Sequence, residues 1–591
     1  MTERIYENGI YRAPGARLSD LAAEKRLPIG NDNFRALMHE SVFVDKSLLV
    51  ADVLGRGTAV SLYCRPRRFG KSLNLSMLQA FLEMENPSDP AWEDPEPLFR
   101  GLGIWEVDSG RWRVHMAAYP VVRLSLNNAK DASWAMVAQT LRQTMAAEYA
   151  RHGYLAESPA LSPDERARFR RIAGADPTNG ELKGSLLLLT QLLQRHHGTA
   201  AVVLIDEYDA PVMAAATNGY YHEATSFLKG WLTGALKSND ALALGVLTGV
   251  QRISKESIFS DLNNLTVDTP MSLASDERYG FTQAEVEALA AYREQTGGVE
   301  LAREWYDGYR FGAVDVYNPW STLSFFQNAC APDLYWMNTS GNGVLNQLAA
   351  TSDAATLGKL YRLLEPDGFI EEGVDTATVF ADAGLPAGNA VWSLLYLAGY
   401  LTTDDTALPG KARLPRRLRI PNLEVREVFR DEVIARFEQE AGGRDRLREL
   451  HEALREGDAE TVAEELERIL LDSASNHDLT RENSYHMLAL GLMFGMHGYN
   501  DPVSNREAGR GLFDVRILPE NPDQNPVLVL ELKWAKPGTP AAADLPALAE
   551  GAVAQARDRA YASGSNADAA GAMLWGLAFS GKELAAVCER A

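Results

Sequence analysis

The residues best suited to chemistry stand in a few short runs. Arg65–Ser72 reads RPRRFGKS, directly after the apolar run AVSLYC and directly before a stretch with helical spacing. That is the setting of a phosphate-binding loop, where the N–H groups of a helix start point at an anion and a glycine lets the backbone approach it. Gly70, Lys71 and Ser72 match the end of the pattern GxxxxGK[ST], but Arg65 stands where its first glycine would be. In such a loop Lys71 can reach the β- and γ-phosphates of a nucleotide and the Ser72 hydroxyl can bind Mg²⁺. Arg65, Arg67, Arg68 and Phe69 complete the turn, the three arginines adding positive charge. Read alone, a truncated GKS fits an ordinary basic turn equally well.

The run Val202–Glu207 (VVLIDE) is apolar and ends in two acids. Beside a phosphate loop the first carboxylate holds Mg²⁺ and the second polarises the attacking water, roles that fall to Asp206 and Glu207. The plain alternative is a buried strand that ends in a solvated acidic loop. A further run, Ala241–Thr248, places Thr248 at a strand tip, with Arg252 shortly after. Thr248 there can sense a γ-phosphate. Arg252 can act as an arginine finger or simply stand on the surface.

A separate constellation lies near the C-terminal end. Asp514 opens FDVRIL, and Glu531 and Lys533 sit two apart in VLVLELKWA, on one face of a strand. If these runs pair as a hairpin, Asp514 comes beside Glu531. Two carboxylates then hold Mg²⁺ or Mn²⁺ while Lys533 orients a water for phosphodiester attack. Glu482 can add another carboxylate and Gln555 can support the lysine. A charged i, i+2 pair also suits an exposed edge. VLVLEL, however, is apolar on both sides, so it reads as a central strand in which Glu and Lys need a reason to be buried. His486 reads as half of a metal pair with Glu482 or as a packed helix residue.

The elements that must position these groups follow from the apolar pattern. Runs at Ala59–Cys64, Pro120–Leu126, Ala200–Ile205 and Ala241–Thr248 alternate with helical spacing at Ser72–Glu83, Ala132–Tyr149, Leu182–His196 and His222–Lys237. Strands alternating with helices predict a parallel sheet covered on both faces. Residues 271–470 read as mostly helical, apart from the basic stretch Lys411–Ile420. Helix, basic β-stretch and helix suit a winged-helix module or a helical linker with a β-hairpin. After a helix-like run at Asn483–Met496, the runs Leu512–Leu518 and Val527–Trp534, a helix around Val553–Tyr561 and GAMLWGLAFS form a small α/β unit. The expected organisation of this multidomain α/β chain is a lead-in at 1–26, a phosphate-loop domain at 27–270, the helical middle at 271–470 and an α/β unit at 471–591.

Two resemblances sharpen this reading. RLPIGNDNFRALMHESVFVDKSLLVADVL, RPRRFGKSLNLSMLQAF and LIDEYDAPV, continued by LTGVQRISKESIFSDLNNL, WYDGYRFG and YNPWS, resemble the bacterial AAA-ATPase-like P-loop family. The resemblance covers most of residues 27–340 and makes the missing first glycine a family trait. It implies ATP as ligand, with Arg67, Arg68, Phe69, Gly70, Lys71, Ser72, Asp206, Thr248 and Arg252 around it. Phe34 and Asp45-Lys46 then cover the nucleotide or serve packing. The D…ExK order with an upstream Glu resembles the PD-(D/E)xK nuclease superfamily, with Phe513-Asp514 in place of Pro-Asp.

Composition bounds the function. Among 591 residues, 58 Lys+Arg face 80 Asp+Glu, a net charge of -22, and residues 471–591 hold 10 against 15, a net of about -5. That excludes a passive coat protein, which gains affinity by a surplus of cations. Basic clusters lie at Arg65–Lys71, Arg166–Arg171 and Lys411–Arg419. Arg413, Arg416, Arg417 and Arg419 are the expected nucleic-acid contacts. Cys64, Cys330 and Cys588 form no CxxC pair, which suits a reducing compartment. No apolar leader or membrane-length run is present, so the expectation is a cytoplasmic protein without a membrane partner. The function read here is an ATPase whose nucleotide state gates a metal-dependent nuclease. It would act on nucleic acid, DNA first, in defence against mobile DNA or its maintenance, and a homo-oligomer is compatible with it. The alternatives are a nucleotide-binding regulatory or interaction protein that does not cleave, and an ATP-driven motor.

Overall fold

Four apolar runs of the first half and a short half-buried strand build one parallel sheet. They are β1 (Val60–Cys64), β2 (Val121–Ser125), β3 (Ala201–Asp206), β4 (Leu242–Gly249) and β5 (Leu265–Asp268), in the order β2-β3-β4-β1-β5. Every neighbouring pair is parallel. Helices α1 (Lys71–Leu82), α2 (Trp134–Arg151), α3 (Asn179–His197) and α4 (Tyr221–Leu236) connect and cover it. All residues of β1 and β3 are buried, which is why these strands read as unbroken apolar runs rather than as alternation. The computed structural model describes the chain apart from residues 1–5, 8–9, 13–14, 21–25, 254–263, 337–353, 366, 376–388, 406–413, 474–481, 505–506, 509–510, 513 and 560–570. Among the described residues no helix is long and apolar enough to cross a membrane.

The chain divides into two compact units, residues 1–341 with 371–425 and residues 342–370 with 426–591. The expected helical middle is therefore shared between them. The first unit also carries a hairpin, Tyr309–Phe311 with Val314–Val316, inside the stretch read as helical. Three-residue strands are too short to leave a periodic signal. Farther on, helix Asn389–Ala398 is followed by Thr402–Thr403, which pairs antiparallel with Pro415–Arg419. Arg416 is buried beside Leu418 in the period-two pattern of that strand, Arg417 is exposed, and Arg419 pairs with Asp404 at 2.7 Å. Lys411 and Arg413 lie outside the described residues.

The second unit has its own mixed sheet: β6 (Val503–Ser504), β7 (Val515–Ile517), β8 (Val527–Trp534), β9 (Ala572–Ser580) and β10 (Glu583–Arg590), in that order. β7 and β8 are antiparallel, β8 and β9 are parallel, and α5 (Leu545–Asp558) lies between those two in the chain. The core is formed by Val527, Val529, Val553, Ala556, Ala572 and Leu574. Gly576 lets α5 approach β9: a Cβ there would stand 2.0 Å from the Ala549 carbonyl oxygen. β10 was not expected. Its residues are mostly half-buried, so ELAAVCER shows no clean alternation.

Glu424, early in helix Leu423–Glu440, is a buried acid that ties down the first unit. It accepts from the Trp336 backbone N–H at 2.6 Å and the Ser321 hydroxyl at 2.8 Å. Burial pushes its carboxyl up from 4.5 to about 7. A native state that holds the extra proton loses stability as that proton leaves. We expect stability against urea to fall as pH rises from about 4.5 to about 7 and expect Glu424→Gln to flatten that slope.

Candidate functional site

The phosphate loop is held from both ends. At its start the Arg65 side chain is fully buried and donates to Asp268 at 2.7 Å and to the Cys64 carbonyl at 2.9 Å. Its guanidinium also lies over the rings of Tyr279 and Phe311, at 4.9 and 5.2 Å. Its charge is thus spent inside the fold and adds nothing to the surface of the loop, contrary to expectation. Arg67 and Arg68 are exposed. Phe69 is buried against Tyr309 and Phe311 of the hairpin, with ring centroids 4.9 and 5.1 Å apart. Gly70, at φ +80°, takes the left-handed turn that starts α1. Lys71 is buried and donates to the carbonyls of Arg65 at 3.1 Å and Pro66 at 2.8 Å. Burial lowers the pKa of its ammonium, against the pull of Glu207, Asp206 and Asp209.

Three of the anticipated groups meet directly. The Ser72 hydroxyl donates to Asp206 Oδ2 at 2.5 Å, and the Thr248 hydroxyl donates to Asp206 Oδ1. The parallel register explains this, because α1, β3 and β4 all present residues at the carboxyl end of the sheet, where open α/β sheets place their ligands. The next acid, Glu207, has φ +49°, and its carboxylate pairs with Lys130 at 3.3 Å. Lys130 follows β2 and was not singled out from the sequence. Its position after the end of a strand beside the acidic one was the available signal.

The remainder of the DEYD run is structural. Asp209 is buried and accepts from the backbone N–H groups of Val250 and Gln251, both at 2.9 Å. The Tyr208 hydroxyl donates to the Gln251 carbonyl at 2.7 Å and accepts from the Ile253 N–H at 2.9 Å. Gly249 admits this packing, since a Cβ there would meet Asp209 at 2.7 Å and Tyr208 at 2.8 Å. Arg252 is half-buried within the same pinned segment and is not among the residues that line the cavity.

That cavity, about 410 Å³, opens above the loop. Arg67, Arg68, Phe69, Gly70, Lys71 and Ser72 line it together with Asn127, Lys130 and Glu207. Lys46 lines it too, buried and paired with Glu285 at 2.6 Å. Phe34 packs between Phe43 and Phe99, and Asp45 accepts from the N–H groups of Ser47 and Gly103. Of the segment read as a cover, Lys46 faces the cavity and the other two serve packing.

In the second unit β7 and β8 pair as expected, Val515 opposite Leu530. Asp514 Oδ2 accepts from the Leu532 N–H at 2.7 Å. Glu531 is buried and accepts from Lys533 at 3.1 Å and from Gln555 through the same oxygen, Oε1. Its other oxygen, Oε2, is buried without a hydrogen-bond partner among the described residues. Burial and then the nearby Asp514 charge push the Glu531 carboxyl up. Gln555 thus supports the glutamate rather than the lysine. The His486 ring bonds to the Asp514 backbone carbonyl at 3.0 Å, a packing role. Glu482 begins helix Glu482–Leu492, but its side chain and Phe513 lie outside the described residues. Among the described residues no group of three or more His, Cys, Asp or Glu forms a metal set.

The parallel sheet, the GKS loop at a helix start and the Ser72–Asp206–Thr248 contact define a P-loop NTPase unit. Residues 28–259 match the family described as predicted AAA-ATPase. Over 423 residues the chain is 30% identical to an uncharacterized protein of the vnfD 5′ region in Azotobacter chroococcum mcd 1, spanning 70% of this chain and 71% of that protein. The chain belongs to the AAA-ATPase-like family. A solved Walker-type ATPase of Pyrococcus abyssi aligns with a TM-score of 0.34 and 12% identity, covering 65% of this chain and 94% of that one.

Removing one partner of a buried ion pair strands the other charge at a cost of about 3–5 kcal/mol. Asp268→Asn, which strands Arg65, should lower stability by about that much in urea unfolding, and Arg65→Ala should cost less, because Asp268 keeps its pair with Arg56. The double variant should lose clearly less than their sum, because the two share one interaction.

Proposed function

We propose that the first unit binds and hydrolyses ATP, and that its nucleotide state gates a metal-dependent phosphodiesterase of the PD-(D/E)xK kind in the second. The observation that carries the ATPase reading is the meeting of Ser72 and Thr248 on the two oxygens of Asp206, at the mouth of a helix-capping GKS loop. Hydroxyl and carboxylate oxygens form a hard donor set that suits Mg²⁺, which Ser72 and Asp206 would hold. When bound, the ion neutralises charge on the β- and γ-phosphate oxygens. Lys71, now satisfied by two loop carbonyls, would donate to phosphate oxygens instead. The anion would restore the ammonium that burial disfavours. Glu207, held at the cavity wall by Lys130, would take the proton of the attacking water. Thr248 would orient Asp206 from behind. Arg252, outside the cavity of its own chain, would serve as an arginine finger only toward a second copy.

In the second unit, Asp514 and Glu531 would hold Mg²⁺ or Mn²⁺. The buried Glu531 Oε2, without a partner among the described residues, supports that fit, since a buried carboxylate oxygen needs one. Lys533 would orient the attacking water, and Glu482 would add a further carboxylate. The substrate would be nucleic acid, DNA first, in defence against mobile DNA or its maintenance.

Both activities can be read from one purified protein. Glu207→Gln should lower phosphate release by roughly 10²–10⁴-fold while ATP still binds, and Lys71→Ala should abolish phosphate release and weaken ATP binding. Plasmid, linear and single-stranded DNA, and RNA, incubated with Mg²⁺ or Mn²⁺, should be cut in an ATP-dependent manner by the wild type. Asp514→Ala and Lys533→Ala should not cut. Undiminished cleavage by either variant would sink the nuclease site. No cleavage by the wild type under any condition would favour a regulatory nucleotide-binding protein.

A further inference from the structure

The cavity above the phosphate loop has walls of two chemical kinds. Lys71, Ser72, Asn127, Lys130 and Glu207 supply charged and polar groups from the loop and the strand ends. Phe281, Pro319, Trp320 and Leu323 supply apolar surface, three of them from helix Pro319–Gln327. A ligand that fits both is anionic at one end and flat or apolar at the other. Trp320 is the group of greatest interest because its ring is fixed. It stands in the first turn of a helix capped by Asn318, and its indole N–H donates to the Tyr335 carbonyl at 3.1 Å. Gly30 packs against the edge of the ring, where a Cβ would stand in ordinary contact at 3.7 Å.

The second observation comes from the loop itself. The Arg68 guanidinium lies over the Trp320 ring, 4.1 Å from its centre. Among the described residues no carboxylate forms an ion pair with it. Arg68 reaches that position from a left-handed backbone, φ +67°, a conformation that a non-glycine residue holds only where its surroundings impose it. The phosphate loop therefore extends a flat cation onto a fixed aromatic face within the same cavity.

We propose that Trp320, with Arg68, is the nucleobase platform of this site, on which the purine ring of the bound nucleotide stacks. This rests on the ATP-binding reading above and adds the residues that distinguish a nucleotide from a bare polyphosphate. Aromatic rings and guanidinium planes are the surfaces on which bases stack. Arg68, two residues before Gly70, ties the base end to the phosphate end, so that one loop conformation serves both. The indole is already ordered by its bond to Tyr335, which spares the entropy of immobilising it on binding.

Calorimetric titration of the full chain with ATP, CTP and inorganic tripolyphosphate, each with Mg²⁺, tests the platform. The wild type should bind ATP more tightly than CTP or tripolyphosphate. Trp320→Leu should weaken ATP binding roughly 5- to 100-fold, the worth of one base–aromatic stack, and change tripolyphosphate binding by less than about twofold. Trp320→Phe should recover much of the loss for ATP, and Lys71→Ala should weaken both ligands. If Trp320→Leu does not fold, the Phe variant and the wild-type preference for ATP over tripolyphosphate carry the test. No loss for ATP, or an equal loss for both ligands, overturns the platform. Failure of the wild type to bind either ligand overturns the ATP reading instead.

Discussion

The buried pair between Arg65 and Asp268 is the constraint on which the nucleotide site depends. A cation with no solvent exposure has to be neutralised, and the only economical place for its partner is the end of the neighbouring strand, where Asp268 stands opposite Tyr63. That requirement fixes where β1 ends and where the chain turns. Once the turn is set, Phe69 enters the hairpin at Tyr309 and Phe311, and Gly70 starts α1. A glycine at position 65, as in the commoner form of the motif, would leave Asp268 with Arg56 alone among these contacts. Here the rigidity of the loop comes from a buried ion pair and an aromatic hairpin instead of from a tight glycine turn.

A similar economy governs the carboxyl ends of β3 and β4. Asp206 is shared between hydroxyls from two elements, and Asp209, three residues on, holds the backbone after β4 through two N–H groups. The DEYD run therefore faces two ways. Glu207 lines the cavity and Asp206 holds Ser72 of its wall, and Tyr208 and Asp209 staple the segment that carries Arg252. Asp206 is bonded to Thr248 of β4, whose carbonyl accepts from the Tyr208 N–H, and the Tyr208 hydroxyl in turn holds residues 251 and 253. A nucleotide-dependent rearrangement would have a short physical route into that segment.

How much of this was legible in the sequence depended on range. The loop, the acidic strand end and the strand–helix alternation are local patterns, and the structure places β1 to β4 within a residue or two of their expected bounds. The pairing of β7 with β8 was also legible, because a turn-rich connection between two β-rich runs leaves few other choices. Arg65 was misread because its partner lies 203 residues away, and no local rule distinguishes a surface arginine from one paired at that distance. Lys130 and Trp320 escaped for the same reason: each becomes part of the cavity only when the sheet and the helix after the hairpin are assembled. β5 and β10 escaped because half-buried strands carry no clean period.

The two proposed sites differ in how they manage buried acid, and this bears on the charge of -22. At the phosphate loop Asp206 is fully satisfied by hydrogen bonds from Ser72, Thr248 and the Glu207 N–H. It can therefore stay ordered before any cation arrives, with the cost of its burial already met within the fold. Glu531 is not satisfied. Lys533 and Gln555 crowd onto one oxygen, the other has no partner among the described residues, and burial, then the neighbouring Asp514, pushes its carboxyl toward the protonated form. A cation placed there would relieve the part of the burial penalty that Lys533 and Gln555 leave unmet, so its metal affinity would draw on that cost as well as on new bonds. In an acidic chain that lacks a general pull on nucleic acid, such a bound cation would be the most direct local source of attraction for a phosphodiester.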